Sequence, residues 1–152
     1  HFQSEFSEQP DRAFATAPRQ ACWAMSEDPL VLSKVHSNGL GVFSLNRPKA
    51  LNAADKEMTG MMLSQLAEWE SGDQVKALLL TSTSDRALCS GGDVKALAAA
   101  LNSDPASTLP QEALLNEYKL VNAIATSRVP CVAIMDGVTM GFGVGISGFS
   151  TF

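Results

Sequence analysis

The sequence predicts an α/β domain with parallel strand pairing, and the arrangement of its apolar residues is what predicts it. Two β-favouring runs open the regular part of the chain as a hairpin, apolar residues then recur at helical spacing in several segments, and short uninterrupted apolar runs lie between those segments. Residues 1–29 stand apart: they mix Ser, Ala, Gln and Pro without a steady period and are expected to form a flexible extension ahead of a domain over residues 30–152. The extension's five acidic residues against two arginines match an organelle transit peptide poorly, although the segment also fits what is left after such a peptide is cut away.

Within the domain, residues 31–36 and 42–45 are β-favouring runs separated by Ser37-Asn38-Gly39. An Asn-Gly pair between such runs predicts a hairpin, because both residues tolerate the positive φ of a tight turn. Asn46-Arg47-Pro48-Lys49 breaks the strand pattern, and from Asp55 onward Met58, Met61, Met62, Leu66 and Trp69 fall at helical spacing, with an exit near Ser71-Gly72. Ala77-Leu78-Leu79-Leu80, bounded by Thr and Ser, reads as a strand buried on both faces. A second helix is expected from Asp93 to about Leu101, followed on composition by a loop over residues 102–110. Residues 111–126 give a third helix, with Leu114, Leu115, Tyr118, Val121 and Ile124 as its apolar face. Val132-Ala133-Ile134-Met135, introduced by Pro130 and closed by Asp136-Gly137, reads as another buried strand. The resulting order is ββαβααβ, without an internal repeat.

Composition narrows the function classes. A chain of 152 residues that is 45% hydrophobic and 18% charged can bury a core. Its net charge of −5 and its scattered eleven Lys and Arg disfavour direct tracking of nucleic-acid phosphates. Cys22, Cys89 and Cys131 lack metal-ligand spacing and His1 and His36 form no cluster, so no metal site is expected and a reducing compartment fits. The longest uncharged stretch, residues 137–152, contains five glycines and is shorter than the roughly 20 apolar residues of a membrane span, so a soluble protein is expected.

Three segments carry candidate chemistry. Asn46-Arg47-Pro48-Lys49-Ala50-Leu51-Asn52-Ala53 is a Pro-stiffened turn with two cations, able to hold a phosphorylated nucleotide by charge and amide donors; it also fits a solvated turn. In Arg86-Ala87-Leu88-Cys89-Ser90-Gly91-Gly92-Asp93-Val94 the paired glycines let backbone approach a ligand, and Asp93 can cap the next helix; an ordinary capped Gly-Gly turn reads the same way. Met135-Asp136-Gly137-Val138-Thr139-Met140-Gly141-Phe142-Gly143-Val144-Gly145-Ile146-Ser147 fits either a strand-to-helix turn offering free amides or one packed tightly under a sheet.

Taken in this order and spacing, the segments resemble the front half of the crotonase (enoyl-CoA hydratase/isomerase) superfamily, most closely its 3-hydroxyisobutyryl-CoA hydrolase branch. The resemblance implies a crotonase-like ββα spiral fold, incomplete at the C-terminal end. It implies a backbone oxyanion hole made by the N–H groups of Ser90 and Phe142, each donor worth roughly 3 kcal/mol of barrier in acyl transfer. It also implies coenzyme A or acyl contacts by Arg47, Lys49, Ala50, Asn52, Gly91, Gly92, Asp93 and Gly141, with no cofactor beyond the coenzyme A of the substrate. Hydratases of the superfamily carry a catalytic glutamate where this chain has Gly145, whereas the hydrolase branch has a small residue there and acidic catalytic residues further along, beyond Phe152.

By that resemblance the implied reaction is hydrolysis of a short branched 3-hydroxyacyl-CoA, as in mitochondrial valine breakdown. The other role it implies is non-catalytic: relatives of this hydrolase serve as proteins of the mitochondrial ribosome's small subunit. An acyl-CoA-binding module without turnover is a third reading. The family also implies homo-oligomers or a larger protein assembly, and neither membrane nor direct nucleic-acid contact is expected. Most hydrolase relatives have glycine at the place of Phe142, so that side chain is expected to strain the backbone by about 1 kcal/mol or to crowd the acyl group.

Overall fold

A computed structural model describes residues 29–151, so nearly all of the expected extension over residues 1–29 lies outside the described part. Strands β1 (Val31–Val35) and β2 (Leu40–Leu45) form the expected antiparallel hairpin, in register from Val31 opposite Leu45 to Val35 opposite Gly41. The turn is local chemistry: Gly39 takes φ +87° and donates its N–H to the His36 carbonyl at 2.9 Å, while the Leu40 N–H donates to Asn38 Oδ1 at 3.1 Å.

A short 3-10 turn (Pro48–Ala50) leads to helix α1 (Lys56–Ser71), which Asp55 caps by accepting the Met58 N–H and which ends at Gly72 as the sequence predicts. The α1 stripe of Met58, Met62, Leu66 and Trp69 packs into one core with Phe43 and Leu45 of β2 and with Leu78 and Leu80 of β3 (Ala77–Ser82). Phe43 and Trp69 stack with ring centroids 4.5 Å apart. The β3 strand joins β2 in parallel, and β5 (Cys131–Ala133) joins β3 in parallel, giving a four-stranded sheet in the order β1-β2-β3-β5. A separate two-stranded parallel pair, β4 (Ala87–Cys89) with β6 (Val138–Thr139), was not expected from the sequence. Helices α2 (Val94–Ser103), α3 (Leu109–Ala125) and α4 (Phe142–Gly148) complete the described elements, and the loop between α2 and α3 shrinks to residues 104–108.

Burial departs from expectation at three elements. Helix α3 buries Ala113, Leu120 and Ile124, whereas Leu114, Leu115 and Tyr118 of the expected face are exposed. The helix is apolar on two adjacent stripes, and packing against α1 and α4 selects the one about a quarter turn from the face with the larger side chains. On β3, Leu78 and Leu80 are buried but Ala77 and Leu79 are half-buried, so only one face is core. β5 is an edge strand: Cys131 points inward, and Val132, Ile134 and Met135 of the expected buried run are exposed. No helix among the described residues is long and apolar enough to cross a membrane.

Candidate functional site

The first candidate segment is held from beneath. Leu51 and Asn52 both take left-handed backbone, at φ 50° and 53°. Asn tolerates that region and Leu disfavours it, so the turn needs outside anchorage. The fully buried Asn52 side chain supplies it: Oδ1 accepts the Arg47 N–H at 2.7 Å, and Nδ2 donates to Ser82 Oγ at 2.7 Å and to the Ala87 and Leu88 carbonyls at 3.1 and 3.0 Å. Asn52 therefore ties the turn to β3 and β4, and its side chain, expected at the ligand, works from inside.

Arg47 is also engaged within the protein. Its Nη1 donates to the Ala53 carbonyl at 2.8 Å and to Asp93 Oδ2 at 2.6 Å, with Asp55 Oδ2 at 3.6 Å. Asp93 meanwhile caps α2, as expected, by accepting the Ala96 N–H on Oδ1 at 3.0 Å. Partial burial works against the charge of Asp93, but the Ala96 amide and the Arg47 guanidinium together hold its carboxyl below the usual range. The expected nucleotide cation is thus a structural clamp between the first two segments.

A cleft of about 640 Å³ opens over this clamp, lined by Lys49, Ala50, Ser90, Gly92, Asp93 and Lys95 among others. Among the described residues neither Lys49 nor Lys95 pairs with an acid, which leaves two ammonium groups at the cleft for an anionic ligand. The sequence reading missed Lys95, although it stands two residues after the Gly-Gly-Asp signal on the first turn of α2.

The second and third segments meet at their glycines. Gly91 (φ +110°) and Gly141 (φ +51°) face each other closely enough that a β-carbon on Gly141 would lie 3.5 Å from the Gly91 Cα. The contact is fixed by the β4–β6 pair, in which the Val138 N–H donates to the Arg86 carbonyl at 2.9 Å and the Met140 N–H to the Cys89 carbonyl at 3.0 Å. Gly137 (φ +69°) abuts the Arg86 carbonyl, and Gly143 abuts the Cys89 carbonyl so that α4 packs directly onto β4. A β-carbon at Gly145 would meet Val121 Cγ2 of α3 at 3.0 Å, so the position that carries glutamate in hydratases is tight as well as empty of acid here.

The two expected oxyanion donors differ. The Ser90 N–H donates to the Leu51 carbonyl at 3.0 Å, whereas the Phe142 N–H has no acceptor among the described residues. Phe142 starts α4 without positive φ, and its side chain is buried in the core. Gly141, not Phe142, takes the positive φ, so the backbone strain expected of this side chain does not arise.

Comparison with known proteins agrees with this framework. Residues 40–152 match the family described as Enoyl-CoA hydratase/isomerase. The chain is 40% identical over 109 residues to the mitochondrial 3-hydroxyisobutyryl-CoA hydrolase of Gallus gallus, covering 72% of this chain and 28% of that protein. It is 36% identical over 138 residues to small ribosomal subunit protein mS47 of Schizosaccharomyces pombe, covering 90% of this chain and 30% of that one. The crystal structure of a carnitinyl-CoA dehydratase from Mycobacterium thermoresistibile superposes with a TM-score of 0.75 at 40% identity, over 82% of this chain and 36% of that one. The chain thus spans less than a third of the length of these curated relatives.

Proposed function

The chain belongs to the enoyl-CoA hydratase/isomerase (crotonase) family, and from that premise we propose that it forms the coenzyme A-binding and oxyanion-binding part of a mitochondrial acyl-CoA thioester hydrolase of the 3-hydroxyisobutyryl-CoA type. The observation that carries this reading is the meeting of Gly91 with Gly141 beside a cleft that holds two lysines without an acidic partner among the described residues. Lys49 and Lys95 would take the phosphates of coenzyme A, and the thioester oxygen would accept the Phe142 N–H. Ser90 would add its N–H once the bond to the Leu51 carbonyl opens. Water adds to the thioester carbon, the C–S bond breaks, and the products are a carboxylic acid and the coenzyme A thiol. Gly145 argues against hydration of a double bond, since it provides no acid–base group. No cofactor step enters this scheme.

The test is release of free thiol from 3-hydroxyisobutyryl-CoA by the whole protein, with turnover expected. A second reading, a non-catalytic subunit of the mitochondrial ribosome's small subunit, is favoured by the relative of that kind aligning over 90% of the chain and by the occupied Ser90 amide. It predicts no thiol release and stable co-sedimentation with the ribosomal small subunit.

A further inference from the structure

The cleft is a positive place on an acidic protein. Among the described residues that line it Asp93 is the one acid, and Arg47 already holds it, so the charge left for a visitor is that of Lys49 and Lys95. Both ammonium groups lack an acidic partner among the described residues, and Val94 on the same wall is 72% exposed, an apolar neighbour for an aromatic ring. Residues 1–28 carry the complementary chemistry. Glu5, Glu8 and Asp11 follow one another at three-residue spacing with no Lys or Arg before Arg12, and Phe2 and Phe6 lie among them.

Pro29 and Leu30 are pinned beside that cleft. The Leu30 carbonyl accepts the Asn46 N–H at 2.8 Å and the Pro29 carbonyl accepts Asn46 Nδ2 at 3.0 Å, and Asn46 is followed directly by Arg47, which lines the cleft. Residues 1–28 therefore join the domain at the cleft end of β2 and not at the opposite end, where Leu40 lies. Asp11 and Leu30 are 19 residues apart, a reach of up to about 60 Å when extended, so the acids can meet either lysine. Tethering makes that encounter intramolecular, at an effective concentration of roughly 1 mM, so ion pairs too weak to hold separate molecules together can still occupy the cleft. A carboxylate on these lysines and a phosphate of coenzyme A exclude each other.

We propose that residues 1–28 are an autoinhibitory arm, in which Glu5, Glu8 and Asp11 pair with Lys49 and Lys95 and so compete with the phosphates of coenzyme A; this rests on the reading of the cleft as an acyl-CoA site. Contact is tested first without ligand. The full chain, mixed from isotope-labelled and unlabelled molecules, is treated with a water-soluble carbodiimide, which joins touching carboxylates and amines, and its peptides are mapped by mass spectrometry. Links from Glu5, Glu8 or Asp11 to Lys49 or Lys95 within one chain are expected; no such links, or links only between labelled and unlabelled chains, overturn the proposal. Competition is then tested by calorimetric titration with coenzyme A. The triple variant Glu5→Gln, Glu8→Gln, Asp11→Asn is expected to bind about three- to tenfold more tightly than the wild type at low salt, with the gap closing at about 1 M NaCl. The control Glu57→Gln, Glu68→Gln, Asp73→Asn removes the same charge from exposed positions on α1 and the turn after it, and is expected to gain less than about twofold. Equal gains in the two variants, or none in the first, overturn autoinhibition while leaving the cleft as a coenzyme A site. If coenzyme A binds none of the three proteins, the reading of the cleft falls, and the autoinhibition falls with it.

Discussion

Asn52 does more for the site than its position in a surface turn suggests. One fully buried side chain satisfies a backbone amide, two backbone carbonyls and a serine hydroxyl, in a residue whose own backbone is left-handed. Truncation leaves buried partners unpaired and puts alanine in a conformation that Asn tolerates better. Asn52→Ala is therefore expected to destabilise the protein by roughly 2–4 kcal/mol in urea unfolding; a loss below about 0.5 kcal/mol would mean that the turn holds itself. Asp93 makes a pH-dependent contribution. Its carboxyl is depressed in the folded state, so folding favours the deprotonated form. The stabilisation is fully present above the unfolded carboxylate value of about 3.9 and is lost as pH falls through the lower folded value. Acid unfolding of wild type and Asp93→Asn should show this component in the wild type alone. The cap made by Asp93 was legible in the sequence because it needs only local spacing. The Arg47 clamp was not, because it joins residues 46 positions apart.

The hairpin and α1 were equally legible, since each is specified within a short stretch: Asn38-Gly39 sets one, and an apolar stripe at helical spacing between Asp55 and Gly72 sets the other. The β4–β6 pair escaped because strands of three and two residues carry no period and their parallel pairing is non-local. Helix α3 shows the limit of periodicity itself, which gives the spacing of a stripe but not the choice between two adjacent ones. That choice is testable by substitution. Leu120→Ala should lower stability by about 2–4 kcal/mol, because a fully buried side chain leaves a cavity, while Leu115→Gln should change it by less than about 0.5 kcal/mol. Thermal melts of the two variants measure the contrast, and equal losses would place both stripes in the core.

The two edges of the large sheet are protected unequally. The β1 edge presents Ser33 and Lys34, and an edge lysine discourages pairing with another chain. The β5 strand has no charge of its own, and among the described residues its first residue is covered by Thr151, whose N–H donates to the Cys131 carbonyl at 2.7 Å and whose Oγ1 accepts the Cys131 N–H at 3.1 Å. Ile134 and Met135, which continue the chain from this strand, are roughly half exposed, as are Met140, Val144 and Phe149 elsewhere among the described residues. A net charge of −5 supplies some mutual repulsion, but charge spread over the whole chain does not shield one edge. The 152-residue chain by itself is therefore expected to self-associate through this edge, with a weight-average mass that rises with concentration in analytical ultracentrifugation. Replacing Ile134 and Met135 together by lysine should shift it toward monomer, since both side chains are exposed and neither is part of the core. A wild-type chain that stays monomeric at high concentration would show that the β5 edge is covered, and unchanged association in the double variant would place the contact elsewhere, with the exposed face of α3 around Leu115 and Tyr118 the next surface to substitute.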